Sequence, residues 1–238
     1  HLGRHPEVGE GALDPGHDRR DGDEEGAPDA WPDIAVPRFN HVILFVPSEH
    51  MWLECTSNTC PPGYLGDFTA GHPALLLTPE GGQLVTAPAL SPADNHRESH
   101  AELTLLGNGS VALANHIHVT GTHHDFYRHL SIEKNATERQ KQFSEAVPFT
   151  IGRLQSLEVS ASVDQPEAFA NYRLEINNYA TRSGKRMFVP LFKVNPVRPT
   201  LPADEARMLD LRISACYTLY DTVTFFLPAG FRVENVPS

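Results

Sequence analysis

His41 and Glu54 are the residues whose types and setting point most directly to chemistry. An imidazole can take the proton of a thiol. A carboxylate behind it fixes the ring's tautomer and steadies the imidazolium. A Cys-His-acid site for acyl transfer needs that pairing, and both residues stand in short runs that read as strands. Phe39-Asn40-His41-Val42-Ile43-Leu44-Phe45-Val46 has the length and β-branched content of one strand. Met51 to Thr56 forms a second, and Pro47-Ser48-Glu49-His50 is the turn that joins them into a hairpin.

Strand parity decides whether the two side chains can meet. If Val46 pairs with Met51, then Ile43 opposes Glu54, His41 opposes Thr56, and all four share one face. His41 and Glu54 become diagonal neighbours, roughly 7–8 Å apart between backbones and within side-chain reach. A one-residue slip would set Cys55 opposite His41 instead. As a nucleophile Cys55 would gain nothing from its strand, which supplies no helix dipole to favour thiolate. The blander reading makes His41 a hydrogen-bonded strand histidine and Glu54 a solvated carboxylate.

The runs Phe39-Asn40-His41-Val42, Trp52-Leu53-Glu54-Cys55-Thr56-Ser57 and Gly63-Tyr64-Leu65-Gly66-Asp67-Phe68-Thr69 resemble the end of a transglutaminase-like core. Such cores occur, between β-rich domains, in bacterial proteins of unknown function. Segments further on resemble the same family: Leu76-Leu77-Thr78-Pro79-Glu80-Gly81-Gly82, Asp221-Thr222, Leu227-Pro228-Ala229-Gly230-Phe231 and Val233-Glu234. The resemblance spans about residues 37–238. It implies that His41 occupies the catalytic histidine position and Glu54 the acid position. Related cores usually carry Asp followed by Pro-Thr there, where this chain has Glu54-Cys55-Thr56. It also implies a nucleophilic cysteine on a helix N-terminus upstream of the histidine, and no cysteine precedes His41. The expectation is the C-terminal part of a transglutaminase-like, cysteine-protease-like protein. It would keep the histidine and acid positions without the nucleophile and be inactive alone. A protein or peptide substrate and a periplasmic or cell-envelope location are implied by the same resemblance. The competing expectation is a non-enzymatic envelope β-sandwich that binds a partner or spaces domains.

The chain has 238 residues, 40% of them hydrophobic, enough for one large or two small domains. A net charge of −11 repels phosphate backbones and argues against a nucleic-acid partner. No apolar run approaches the roughly 20 residues of a membrane span. Three cysteines, Cys55, Cys60 and Cys216, do not make a disulfide framework, although Cys55 and Cys60 could close a small loop. Residues 1–36 hold ten acidic residues against three arginines and show no apolar period, so they read as a disordered acidic tail. Residues 37–90 read as the end of the core sheet, and 91–238 as an antiparallel β-sandwich with one short helix. The fold expected is therefore mainly β.

Hairpins are expected around Pro79-Glu80-Gly81-Gly82 and around Gly107-Asn108-Gly109-Ser110, where Asn-Gly supplies positive φ. The helix is expected from Glu138 to Val147, with Thr137 and Gln140 as a capping box and Pro148 as the stop. Later strands are expected at 154–162, 172–181, 186–192, 209–217, 222–227 and 231–236. His116 and His118 share a strand face and could chelate a metal, but no cysteine or tightly spaced carboxylate other than Asp125 stands near to complete a site, and none is assigned. No cofactor is expected, since no phosphate loop or nucleophile elbow appears.

Overall fold

The structure, a computed structural model, describes residues 41–57, 59–196 and 216–236, together with the backbone of residues 11–14. The described residues are mainly β and divide into two compact units. One is built chiefly on residues up to Asn95 and the other on residues from His96 onward.

The first unit contains strands β1 (Gly11–Asp14), β2 (His41–Val46), β3 (Met51–Glu54), β4 (Pro73–Thr78) and β5 (Gly81–Thr86), in the order β3-β2-β1-β4-β5. Every pairing is antiparallel. Strand β1 lies inside the segment read from sequence as a disordered tail, and the rest of that segment lies outside the described residues. A short helix, α1 (Gly66–Thr69), precedes β4. The register expected for β2 and β3 is the one found: Val46 faces Met51 and Ile43 faces Glu54. The loop holds it. Pro47–Glu49 form one 3-10 turn, and His50 takes a left-handed conformation, φ 49°, with its N–H donating to the carbonyl of Pro47. Ile43, Leu65, Ala74, Leu76 and Ala87 form the core, with Phe45 and Trp52 against it at a ring separation of 4.8 Å.

The second unit is a five-stranded mixed sheet in the order β12-β6-β7-β9-β8. Its strands are β6 (His96–Leu105), β7 (Val111–Thr120), β8 (Arg153–Ala161), β9 (Glu167–Ile176) and β12 (Thr218–Phe226). A two-stranded ribbon is formed by β10 (Thr181–Ser183) and β11 (Arg186–Phe188). Period-two alternation buries Leu103, Leu113, Ile117, Tyr172 and Leu174 on one side of the sheet. The β6–β7 turn is the one read from sequence. Gly109 sits at φ +88°, and a Cβ there would lie 2.6 Å from the carbonyl oxygen of Ala180, so glycine is required.

The expected two-sheet sandwich with one helix needs correction. Helices α2 (His124–Ile132) and α3 (Ala136–Ala146) supply Leu130 and Phe143 to the core of this unit. Among the described residues, helices complete the core in place of a second large sheet. Helix α3 is capped by Asn135, whose Oδ1 accepts from the amides of Thr137 and Glu138, and not by the expected Thr137 box. Asparagine two residues earlier is the better-placed acceptor and takes the cap. Strand β12 pairs parallel to β6, so the unit is not wholly antiparallel. The stretch 231–236 is irregular where a strand was expected, and the strand expected at 209–217 falls mostly outside the described residues.

Candidate functional site

His41 opens β2 and Glu54 closes β3. Alternation places His41 on the same face as Ile43, which is wholly buried, and Glu54 lies directly across from Ile43. The two polar side chains therefore stand at the rim of a core face. The Nε2–H of His41 points to Oε2 of Glu54 at 2.7 Å. The other carboxylate oxygen accepts from the amide and the hydroxyl of Thr56, at 2.7 and 2.6 Å. The Glu54 side chain is only 3% exposed and that of His41 12%.

Burial pushes the Glu54 carboxyl up, but the hydrogen bonds from the Thr56 hydroxyl and amide, and from His41, outweigh it. The net effect holds Glu54 below its usual value. It is therefore ionised at neutral pH and able to anchor the ring. With Nε2 committed to the carboxylate, Nδ1 is the nitrogen left to take a proton. Thr56, two residues further on, fixes the glutamate side chain through its amide and hydroxyl.

One neighbour was not identified from sequence as part of the site. The ring of Phe68, on α1, meets the His41 ring edge to face at 4.9 Å and is itself half exposed. It lies in the Gly63–Thr69 run, and nothing in that run says which strand it will touch.

The cysteines stand differently. All three are free thiols, so the small-loop disulfide between Cys55 and Cys60 is not formed. Cys55 follows Glu54 directly and is exposed, its thiol near the carbonyl of Leu53 at 3.6 Å. Cys60 donates to the carbonyl of Tyr64 at 3.2 Å. The register that joins His41 to Glu54 does not set Cys55 opposite His41.

In the second unit His116 bonds Asn171 at 2.6 Å. His118 bonds Glu167 at 2.8 Å and stacks on Phe169 at 4.5 Å. These histidines use their ring nitrogens on neighbours across the sheet. Among the described residues no group of three or more His, Cys, Asp or Glu side chains is arranged to hold a metal. No described helix is long and apolar enough to cross a membrane. Set beside known proteins, the chain matches no family model, no curated protein and no solved structure.

Proposed function

We propose that His41 and Glu54 are the base and acid positions of a papain-type acyl-transfer site, of the kind found in transglutaminase-like cores. The observation that carries this reading is the 2.7 Å contact between His41 Nε2 and a carboxylate whose second oxygen is fixed by Thr56. An acid that is itself anchored holds the imidazole in one tautomer and one orientation, and a histidine that must deprotonate a thiol needs both. The substrate class is an amide: a glutamine side chain or a peptide bond in a protein.

On this reading the chain carries the histidine arm without the thiol. Cys55 is exposed just past the end of β3, and the register does not set it opposite His41. The purified chain is expected to release no ammonia from a blocked glutaminyl peptide and to form no hydroxamate when hydroxylamine is added. Ammonia release and hydroxamate formation would be followed with and without a reducing agent. Thiol-dependent turnover that disappears in Cys55→Ala would make Cys55 the nucleophile and overturn this part of the reading.

A further inference from the structure

The second unit contains a cleft of about 600 Å³ between its sheet and its helices. Small-molecule sites typically enclose about 300–1,000 Å³, and this cleft is lined by aromatic and polar groups in near-equal measure. The floor is Ile117 and Tyr172, and the walls are Phe126, Tyr127, Phe143 and Phe149. Rigid rings on several sides suit a flat apolar body, since aromatic pairs favour stacked and edge-to-face contact.

The polar end is built by a chain of hydrogen bonds. Nη2 of Arg97 lies 3.3 Å from both oxygens of Asp221. Asn195 donates to Asp221 at 2.8 Å and to the hydroxyl of Ser99 at 3.1 Å. Ser99 donates to Asn115, and Asn115 donates to the Tyr172 hydroxyl. Ser99 and Asn115 are buried, so the arrangement is fixed from within the sheet. Two donors of the cleft lining, on Arg97 and Tyr127, are left over among the described residues. Nε of Arg97 is buried without a partner. The Tyr127 hydroxyl takes part in no hydrogen bond, and burial pushes its pKa far above the usual tyrosine value, so it keeps its proton. The Arg97 Nε–H is a buried donor without an acceptor, and a ligand oxygen would satisfy it.

Charge selects the kind of oxygen. Asp221, behind the lining, answers the Arg97 cation, and Glu145 is the carboxylate of the lining itself. His123, also in the lining, has its pKa lowered by burial and by Arg97 and His96, and is neutral at pH 7. An anionic ligand would meet the Glu145 carboxylate of the lining and an Arg97 cation already paired with Asp221. A neutral acceptor meets two donors without that repulsion.

We propose that this cleft binds a small neutral molecule with a flat ring body and a carbonyl-type acceptor, the ring seated among the aromatic walls and the oxygen turned toward Arg97 and Tyr127. This site is separate from His41 and Glu54, and its test does not depend on them. Three probes sharing one ring system separate the contributions: 2-acetylnaphthalene, 2-naphthoate and naphthalene. Each is titrated against the whole chain by ligand-observed NMR. The ketone should bind saturably and at least tenfold more tightly than the carboxylate. Tyr127→Phe removes one oxygen and keeps the ring. It should weaken the ketone about fivefold, the worth of one hydrogen bond, and leave naphthalene unchanged. Arg97→Lys should act in the same direction, and Tyr127→Phe decides alone if that variant does not fold. The proposal is overturned if the ketone shows no saturable binding, if naphthoate binds as tightly as the ketone, or if Tyr127→Phe leaves ketone binding unaltered.

Discussion

Alanine at position 143 is expected to destabilise the protein by about 3–5 kcal/mol, the usual cost of deleting a buried phenylalanine side chain. Phe143 is 1% exposed and meets the Tyr172 ring edge to face at 4.9 Å. The more specific reason lies in helix α3, whose sequence Ala-Thr-Glu-Arg-Gln-Lys-Gln-Phe-Ser-Glu-Ala is polar apart from Phe143 and the two terminal alanines. Phe143 is its one buried side chain among the described residues. The other visible supports are weak. The Glu138–Lys141 pair is exposed and 4.0 Å apart, worth a few tenths of a kcal/mol at most. An 11-residue helix is marginal on its own. The substitution should therefore undock α3 as well as lower stability. Urea unfolding gives the first effect, and faster amide exchange across 136–146 than in β7 gives the second. A loss below about 1 kcal/mol with α3 still protected would mean that contacts other than Phe143 hold the helix.

Glutamine at position 54 is expected to cost about 2–4 kcal/mol at pH 7, by a different route. The substitution keeps the shape of the side chain and removes the charge. Glu54 accepts from three donors, the Thr56 amide, the Thr56 hydroxyl and His41 Nε2–H. A glutamine has one acceptor oxygen, so its NH2 group must face a donor on one side. The effect is tied to pH because the folded carboxyl is held below its usual value of 4.5. A depressed carboxylate contributes stability that is complete above the unfolded pKa, about 4.3, and is lost as pH falls through the lower folded pKa. The difference between wild type and Glu54→Gln should be full at pH 7 and shrink below about pH 4. Unfolding followed by Trp52 fluorescence at pH 7 and pH 3.5 would measure it. A gap of equal size at both would show that the ionised carboxylate is not what stabilises the hairpin.

Local patterns were legible where neighbouring residues settle the geometry. The β2–β3 register follows from a four-residue loop and a two-residue period, which is enough to put His41 beside Glu54. Asn108-Gly109 marked the β6–β7 turn for the same reason. Helix α2 was missed, although Phe126, Tyr127 and Leu130 follow helical spacing. His123, His124 and His129 stand among these apolar residues and mask the period. Strand β12 could be seen as a strand, but not its parallel place beside β6, about 120 residues away. The contact between Phe68 and His41 was equally out of reach, because it depends on how α1 is carried past the end of β2.

The central claim is that His41, oriented by Glu54, can serve as the base for a thiol. Phe68 offers the place to test it, since its ring centroid already lies 4.9 Å from that of His41 and the residue is half exposed. Phe68→Cys would set a thiol beside the imidazole. Alkylation by iodoacetamide, mapped by mass spectrometry, would be compared at pH 7 in Phe68→Cys, Phe68→Cys/His41→Ala and Phe68→Cys/Glu54→Gln. Exposed Cys55 and Cys216 serve as internal references in each sample. An ordinary thiol with a pKa near 8.5 is only a few per cent thiolate at pH 7, so a neighbouring base has room to act. The account predicts that Cys at position 68 reacts about tenfold faster than the reference thiols, that His41→Ala removes the advantage, and that Glu54→Gln reduces it. Equal rates with and without His41, in variants whose circular dichroism shows them folded, would contradict it.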